Sequence, residues 1–174
     1  VTRGLAPNVR LKPSGLAWLG DMPEHWEVSP LKWLLSRVDY GTSEVAKLDG
    51  KIRVLTMGNI QNGEVVIAGS GGLYQVPHGL LLEEHDLLFT RTNGNPELVG
   101  KVGLFRGLAT DQVTFASYLV RLRVREPFNP HWLHFLLNSS RFWAFARSHA
   151  LVNLQTNLNS TRYGQFLVPV PPPA

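Results

Sequence analysis

Residues 86–106 read DLLFTRTNGNPELVGKVGLFR. The apolar ends of this stretch, residues 86–90 and 99–106, have the composition of β-strands, and the Asn, Gly and Pro residues between them are turn formers. The stretch therefore predicts two strands in the middle of the chain, joined by a polar loop that begins at Arg91.

Further strands are predicted on both sides of this stretch, at residues 52–57, 65–67, 115–124 and 166–170. The clearest helix follows Asn129-Pro130, which is a typical N-cap and first helical residue. Its apolar residues recur every three or four positions and predict one long helix with a buried stripe: Trp132, Phe135, Leu136, Phe142, Trp143 and Ala146. The chain is therefore predicted to be α+β, with a mainly antiparallel or mixed β core, short helices and one longer late helix.

The two ends differ from the middle. Residues 1–27 contain Gly, Pro and isolated Trp without a sustained period, which predicts an extended lead-in that packs through Trp18 and Trp26. A short helix is predicted next, with Ser29 as its N-cap. Residues 28–170 form the domain itself. Residues 171–174 begin with three prolines, which favour an extended exit segment.

The chain has 174 residues, the size of one domain. With 44% hydrophobic residues and five Trp it can bury a core, which excludes an intrinsically disordered protein. No apolar run approaches the roughly 18 residues of a membrane span, so no membrane partner is expected. The absence of Cys excludes disulfides and thiolate metal sites, and we expect a cytoplasmic protein.

Charge is distributed unevenly. The formal net charge is +4, but residues 1–86 carry 8 Lys and Arg against 10 Asp and Glu, whereas residues 87–174 carry 9 against 3. This asymmetry indicates a polyanionic partner for the second half. The alternative is a solvated basic face with no partner.

Motifs of catalysis are missing. Residues 94–102 resemble a phosphate loop, but they have the wrong glycine spacing and no Ser or Thr for magnesium. No dinucleotide-binding glycine motif or nucleophile elbow is present. His131 and His134 share a helix face without an obvious third ligand, and the acidic run at residues 83–86 is interpreted as a solvated turn. We therefore predict no catalytic residue, cofactor site or metal site in this chain.

The loop after Arg91 is rich in hydrogen-bond donors, with Thr92, Asn93 and Asn95 close behind the arginine. Arg pairs with guanine and Asn with adenine in the DNA major groove, so this mixture suits the reading of base edges. The alternative is a hairpin in which Asn and Gly only satisfy turn geometry.

A second donor-rich segment occupies residues 153–162 and ends in Arg162. Its amide side chains suit adenine edges. The alternative is that Asn159, Ser160 or Thr161 caps a short helix.

Arg121, Arg123 and Arg125 alternate along a predicted strand and therefore share one of its faces. Three like charges on one face repel one another unless they are solvated or face phosphate. This pattern predicts phosphate contacts.

Several ordered motifs together resemble the specificity subunit of type I restriction-modification systems. The opening motif is residues 14–28, the central motif is residues 87–101, and the next strand is residues 116–123. The closing segments are residues 153–159 and 167–173. The resemblance covers the chain from about Ser14 to its end.

The resemblance implies a single target recognition domain that reads one half of a bipartite sequence in double-stranded DNA and has no catalytic activity itself. Methyltransferase subunits would hold S-adenosylmethionine, and a motor-nuclease subunit would hold ATP and Mg²⁺. Family members usually carry two such domains separated by long helices, so a second recognition domain is a further expected partner. The chain ends at Ala174, before the first of these helices, and carries His85 where the family commonly has Gly.

On this interpretation the candidate DNA-binding residues fall into three groups. The candidates for base or groove-edge contact are Arg91, Thr92, Asn93 and Asn95. The candidates for phosphate contact are Lys101, Arg121, Arg123 and Arg162. A second candidate set for base contact is Gln155, Asn157 and Asn159.

Two alternatives remain open. The chain can be the recognition domain of a single-chain restriction enzyme or methyltransferase. It can also be a scaffold module that holds methyltransferase subunits and does not bind DNA itself.

Overall fold

The computed structural model describes residues 8–69, 71–92, 98–108, 111–151 and 160–172. The strands in these ranges are β1 (Leu11–Pro13), β2 (Asp21–Pro23), β3 (Glu27–Pro30), β4 (Leu35–Tyr40), β5 (Ile52–Leu55), β6 (Ile60–Gln61), β7 (Glu64–Val65), β8 (Gly72–Leu73), β9 (Leu87–Thr90), β10 (Val102–Leu104), β11 (Val113–Phe115), β12 (Leu119–Val124) and β13 (Leu167–Val170). The α-helices there are α1 (Pro130–Leu137), α2 (Ser140–Leu151) and α3 (Ser160–Gly164).

The central sheet, counted over these residues, has six strands in the order β4-β12-β9-β10-β7-β6. β9 pairs antiparallel with both β12 and β10, whereas β10 and β7 are parallel. A smaller sheet has the order β11-β5-β8, and β13 pairs with β3. This mixed β core with late helices confirms the predicted α+β class.

Strand β9 is buried on both faces. Leu87, Leu88 and Phe89 are all 0% exposed. Leu87 and Phe89 belong to the larger hydrophobic cluster, which includes residues of the helices, and Leu88 belongs to a second cluster with residues of the smaller sheet. Alternating side chains point to opposite faces of a strand, so an uninterrupted apolar run fits a strand that is covered on both sides.

The late helical region is two helices rather than the one long helix predicted. α1 ends at Leu137, and the Asn138 side chain then donates a hydrogen bond to the His134 carbonyl at 3.0 Å. The Ser139 hydroxyl accepts a hydrogen bond from the Phe142 N–H at 3.3 Å, close to the start of α2. Such side-chain bonds compete with continued helical bonding, so the helix is interrupted here.

The buried side of α1 also differs from the predicted stripe. Asn129 caps the helix as expected. The buried residues of α1 are Leu133, Leu136 and Leu137. Phe135 is 68% exposed, so its predicted place in the core is wrong.

The beginning of the described chain contains a hairpin that sequence reasoning did not predict. β1 and β2 pair antiparallel, and Trp18 between them lies 5.3 Å from Phe142 and 5.9 Å from Phe145, measured between ring centroids. Trp26 makes an edge contact with Trp132 at 6.1 Å. The short helix that follows is a 3-10 helix, Leu31–Leu34, and no side chain caps it, so the prediction of Ser29 as N-cap is wrong.

The turn before β9 holds His85 in the left-handed region, with φ of +70°. Because Gly adopts this conformation without a Cβ clash, we expect His85→Ala to be less stable than His85→Gly by about 1–2 kcal/mol. Both variants lose the contact of His85 with His131, so the difference isolates the backbone. Urea unfolding of the two variants measures it, and equal stability would show that the turn is not strained.

Candidate nucleic-acid interface

Three neighbouring strands of the six-stranded sheet have ends that lie side by side, and we call this side of the sheet its edge. β4 ends at Tyr40 and β9 ends at Thr90, and β12 begins between them with Leu119 opposite Thr90. Arg91 continues from β9, and its backbone N–H donates to the Tyr118 carbonyl at 3.1 Å. Backbone pairing therefore fixes where the polar loop leaves the sheet.

The start of α3 lies at the same edge. The Tyr40 hydroxyl and the Ser160 hydroxyl are hydrogen-bonded at 2.8 Å, and the Ser160 N–H donates to the Tyr40 oxygen at 3.2 Å. α3 is held against the sheet by buried Tyr163, whose ring stacks on Phe89 of β9 at 4.5 Å between centroids. We call the surface formed by Tyr40, Arg91, Tyr118 and Ser160 the Tyr40 edge.

Arg91 lies over the ring of Tyr40, with its guanidinium carbon 5.0 Å from the ring centroid. Its Nε is buried and has no hydrogen-bond partner among the described residues. Burial alone raises the pKa of the Tyr40 hydroxyl, but the hydrogen bonds with Ser160 and the charge of Arg91 outweigh burial and lower it. The edge therefore presents the cation of Arg91 stacked on the aromatic ring of Tyr40.

The Tyr40 edge brings together the described neighbours of both donor-rich segments. Arg91 and Thr92 are the described residues at the start of one of them, and Ser160 belongs to the end of the other. The remaining candidates for base contact lie outside the described residues and stay predictions: Asn93, Asn95, Gln155, Asn157 and Asn159.

No protein-family model matches the chain, and no curated protein matches it. A solved structure described as showing complex assembly and conformational transition of the type I R-M system matches with a TM-score of 0.64 at 12% identity. The HsdS subunit from Thermoanaerobacter tengcongensis matches with a TM-score of 0.61 at 14% identity, and the type I restriction-modification S subunit from M. genitalium with 0.52 at 13%. The chain has the fold of type I restriction-modification S subunits.

This S-subunit fold accounts for most of the chain. The three matches cover 88%, 88% and 95% of it, in the order given. The chain in turn spans only about a third of each matched structure, namely 36%, 35% and 35%. At these identities the likeness is one of fold.

Within this fold Arg121 is an internal residue, so the prediction that it contacts phosphate is wrong. Its side chain is 0% exposed, and its Nε donates to Asp39 at 3.2 Å. Its two terminal nitrogens donate to the carbonyls of Leu81 at 2.8 Å and Gly79 at 2.6 Å. Asp86 lies 3.7 Å away. All of these partners are protein groups, which leaves no face of the guanidinium for DNA.

Arg123 is paired in the same cluster, so its charge is largely neutralised inside the protein, and its predicted phosphate contact stays a prediction. Its side chain is 19% exposed and makes two hydrogen bonds of 2.8 Å to Asp86, with Glu83 at 2.6 Å. The bonds to Asp86 raise the pKa of Arg123. The acidic run before β9 is thus not only a solvated turn, because Asp86 is 0% exposed. Carboxylates, not phosphates, relieve the repulsion along β12.

Lys101 and Arg162 remain candidates for phosphate contact. Lys101 is half-buried beside β9, where its backbone carbonyl accepts from Thr90 N–H at 2.9 Å and its ammonium donates to the Ile60 carbonyl at 3.2 Å. It lines an open pocket of about 500 Å³ with His134 and Trp143. Arg162 is exposed on α3, two residues beyond Ser160.

The structure adds residues that sequence reasoning missed, namely Tyr40, Tyr118 and Ser160 as a joint site. Tyr118 belongs to the motif at residues 116–123, which was a usable signal in the sequence, whereas its 53% exposure is seen only in the structure. Tyr40 and Ser160 are 120 residues apart, and no local pattern pairs them.

Metal and membrane features can be stated only for the described ranges. There, no group of three or more His, Cys, Asp or Glu side chains is placed to hold a metal ion. His131 contacts His85 at 4.8 Å between ring centroids, whereas His134 hydrogen-bonds the Gly63 carbonyl, so the two imidazoles do not converge. The helices of these ranges are too short or too polar to cross a bilayer.

Proposed function

We propose that this chain is a non-catalytic target recognition domain, which binds double-stranded DNA and reads one half of a bipartite target for a type I restriction-modification complex. The observation that carries the proposal is the Tyr40 edge. There, in the fold of S subunits, Arg91 and Ser160 both contact Tyr40, although they belong to donor-rich segments that are far apart in sequence.

The chemistry of this edge suits a DNA duplex. Arg91 offers a guanidinium whose plane can pair with guanine, and the Asn and Gln residues in the sequences of the two donor-rich segments offer amides that pair with adenine. Lys101 and Arg162 supply positive charge near the same strands for the phosphate backbone. Since Arg121 and Arg123 are neutralised internally, we assign the electrostatic attraction for the phosphate backbone to Lys101 and Arg162.

The same proposal assigns the chemistry to partner subunits. Methyltransferase subunits would bind S-adenosylmethionine and modify the DNA, and a motor-nuclease subunit would use ATP and Mg²⁺ to cleave it. A second recognition domain would read the other half of the target. This chain would contribute base recognition alone.

The proposal is tested by selection from a pool of random-sequence duplexes. We expect the chain to enrich one short consensus, and its affinity for that duplex to fall with salt with a logarithmic slope of about −0.9 per neutralised phosphate. A chain that enriches no sequence and shows negligible binding even at low salt would support the scaffold alternative instead.

Arg91→Ala is expected to weaken binding to the enriched duplex by about 1–3 kcal/mol and to leave binding to random duplexes nearly unchanged. The reason is that a base contact contributes only where the correct base is present. Arg106→Ala is the matched control, because Arg106 is 62% exposed and paired with Glu64 away from the Tyr40 edge. Fluorescence anisotropy measures the loss of binding free energy on the enriched duplex and on random duplexes. Equal losses on the two would make Arg91 a phosphate contact.

A further inference from the structure

A pocket of about 500 Å³ opens beside the end of β9. Its walls come from three parts of the chain: the Asn62-Gly63 turn between β6 and β7, the Gly100-Lys101 segment before β10, and the junction of α1 and α2 around Ser139. We call it the Lys101 pocket. Its volume lies within the range of roughly 300–1,000 Å³ that is typical of ligand-binding sites.

Hydrogen bonds hold the walls of the Lys101 pocket in place. The His134 ring donates from Nε2 to the Gly63 carbonyl at 2.5 Å, which ties the β6–β7 turn to α1. The Trp143 indole N–H donates to the Val99 carbonyl at 3.5 Å. The pocket is therefore preformed, and a ligand that enters it does not have to order these walls.

The polar lining of the pocket suits an anion. The half-buried Lys101 ammonium donates to a β6 carbonyl at 3.2 Å and carries further N–H groups, and none of the ion pairs among the described residues includes it. The Ser139 hydroxyl accepts from the Phe142 N–H, which leaves its own proton to donate. Glu64, next to the β6–β7 turn, is already paired with Arg106.

The rest of the lining is apolar, and part of it is exposed. Phe135 lines the pocket on the solvent side of α1, whose buried residues are Leu133, Leu136 and Leu137. The half-buried Trp143 lines it from α2. The pocket therefore offers apolar contact next to a cation. A sugar attached to a phosphate has the matching combination of apolar surface and negative charge.

The Lys101 pocket lies at the same end of the sheet as the Tyr40 edge. The Thr90 N–H donates to the Lys101 carbonyl at 2.9 Å, and the Gly100 N–H donates to the Thr90 carbonyl at 2.8 Å. Because paired backbones are about 4.8 Å apart, Lys101 lies one strand spacing from the residue that precedes Arg91. A DNA strand with a base at Arg91 is therefore within reach of this pocket.

We propose that the Lys101 pocket binds one nucleotide of the DNA backbone, with the phosphate at Lys101 and Ser139 and the deoxyribose against Phe135 and Trp143. This inference rests on the proposed function and adds to it a separate site for sugar and phosphate. Because every nucleotide of DNA carries the same sugar and phosphate, the site binds DNA of any sequence.

Phe135→Ala in the 174-residue chain tests the contact with the sugar. We expect binding to the enriched duplex and to random duplexes to weaken by the same factor, about three- to tenfold, because the apolar area that is lost does not depend on the base. Leu48→Ala is the matched control, since Leu48 is also an exposed apolar residue but does not line the pocket. It should leave both affinities, measured by fluorescence anisotropy, unchanged.

Lys101→Met tests the contact with the phosphate, because it removes the ammonium and keeps the apolar stem. The salt slope of binding should decrease in magnitude by about one on both kinds of duplex. Phe135→Ala should leave this slope unchanged, as should Lys51→Met, which removes an exposed lysine just before β5. If Lys101→Met does not fold, Phe135→Ala decides the question, because its side chain is exposed.

The outcomes separate this inference from the proposed function. No loss for Phe135→Ala, or a loss on the enriched duplex alone, overturns the nucleotide site. An unchanged salt slope in folded Lys101→Met does the same. Each of these results leaves the proposed function standing, because the unsubstituted chain still enriches a consensus. If the unsubstituted chain binds no duplex, both proposals are overturned.

Discussion

Arg121→Met is expected to lower the free energy of unfolding by about 3–5 kcal/mol, the cost of removing one partner from a buried ion cluster. Arg121 and Asp86 are both 0% exposed, and Asp39 is hydrogen-bonded to the Arg121 guanidinium. The variant would also leave the carbonyls of Gly79 and Leu81 without their donors. Equilibrium urea unfolding measures the loss.

The stability lost in Arg121→Met depends on pH in a defined direction. Burial raises the pKa of Asp39, but Arg121 and Arg37 outweigh burial and hold it below the ordinary value of 3.8. A carboxyl with a lower pKa in the folded chain contributes stability above the unfolded pKa and loses that contribution as pH falls through the folded pKa. The difference in unfolding free energy between wild type and Arg121→Met should therefore become smaller as the pH is lowered below about 4.

Arg106→Met is the matched control for stability. Arg106 is ion-paired with Glu64, but the two side chains are 62% and 39% exposed, and exposed pairs contribute little to stability because water screens them. A loss for Arg121→Met no greater than that for Arg106→Met would show that the buried cluster does not stabilise the fold. The salt slope of DNA binding should be the same for wild type and folded Arg121→Met, and a reduction of about one in its magnitude would restore Arg121 as a phosphate contact.

Phe142→Ala is expected to cost about 3–5 kcal/mol of unfolding free energy, because it empties the centre of the larger hydrophobic cluster. Phe142 is 0% exposed, and its ring lies 5.3 Å from Trp18 and 6.2 Å from Tyr163 between centroids. The N-terminal hairpin and α3 both rest on this ring. Removal of the Phe142 ring should therefore weaken the packing of the N-terminal hairpin and of α3. Trp fluorescence during urea unfolding measures the loss of stability.

Phe135→Ala is the matched control for Phe142→Ala. Phe135 lies on the neighbouring helix and is 68% exposed, so its truncation should change stability by no more than about 0.5 kcal/mol. Comparable losses for the two Phe residues would contradict the packing described here and would return Phe135 to the predicted core stripe.

Local patterns were sufficient for the fold class. The run Leu87, Leu88 and Phe89 was recognisable as a strand because β-strands covered on both faces are uniformly apolar. The Asn129 cap was recognisable because capping depends only on adjacent residues. The break between α1 and α2 was not, since a helical apolar spacing continues through Asn138 and Ser139 while their side chains bond the backbone.

The candidate site was only partly predictable, because charge pairing is decided over long distances in sequence. The face shared by Arg121 and Arg123 was predicted as an outer surface, yet Asp39 and Asp86, which pair with them, lie 82 and 37 residues away along the chain. The prediction of Arg91 as a site residue rests on the local loop composition. Its aromatic support at Tyr40 depends on strand pairing that no local pattern encodes.

The double burial of β9 has a consequence for motion as well as for stability. The amides of Leu87 and Phe89 lie in a central strand with a paired neighbour on each side, so we expect their hydrogen exchange to require global unfolding. Arg91 is the first residue after this strand. Arg91 is thus attached to backbone that we expect to open only with the whole fold, so under the proposed function little backbone conformational entropy would be lost there on binding a base pair.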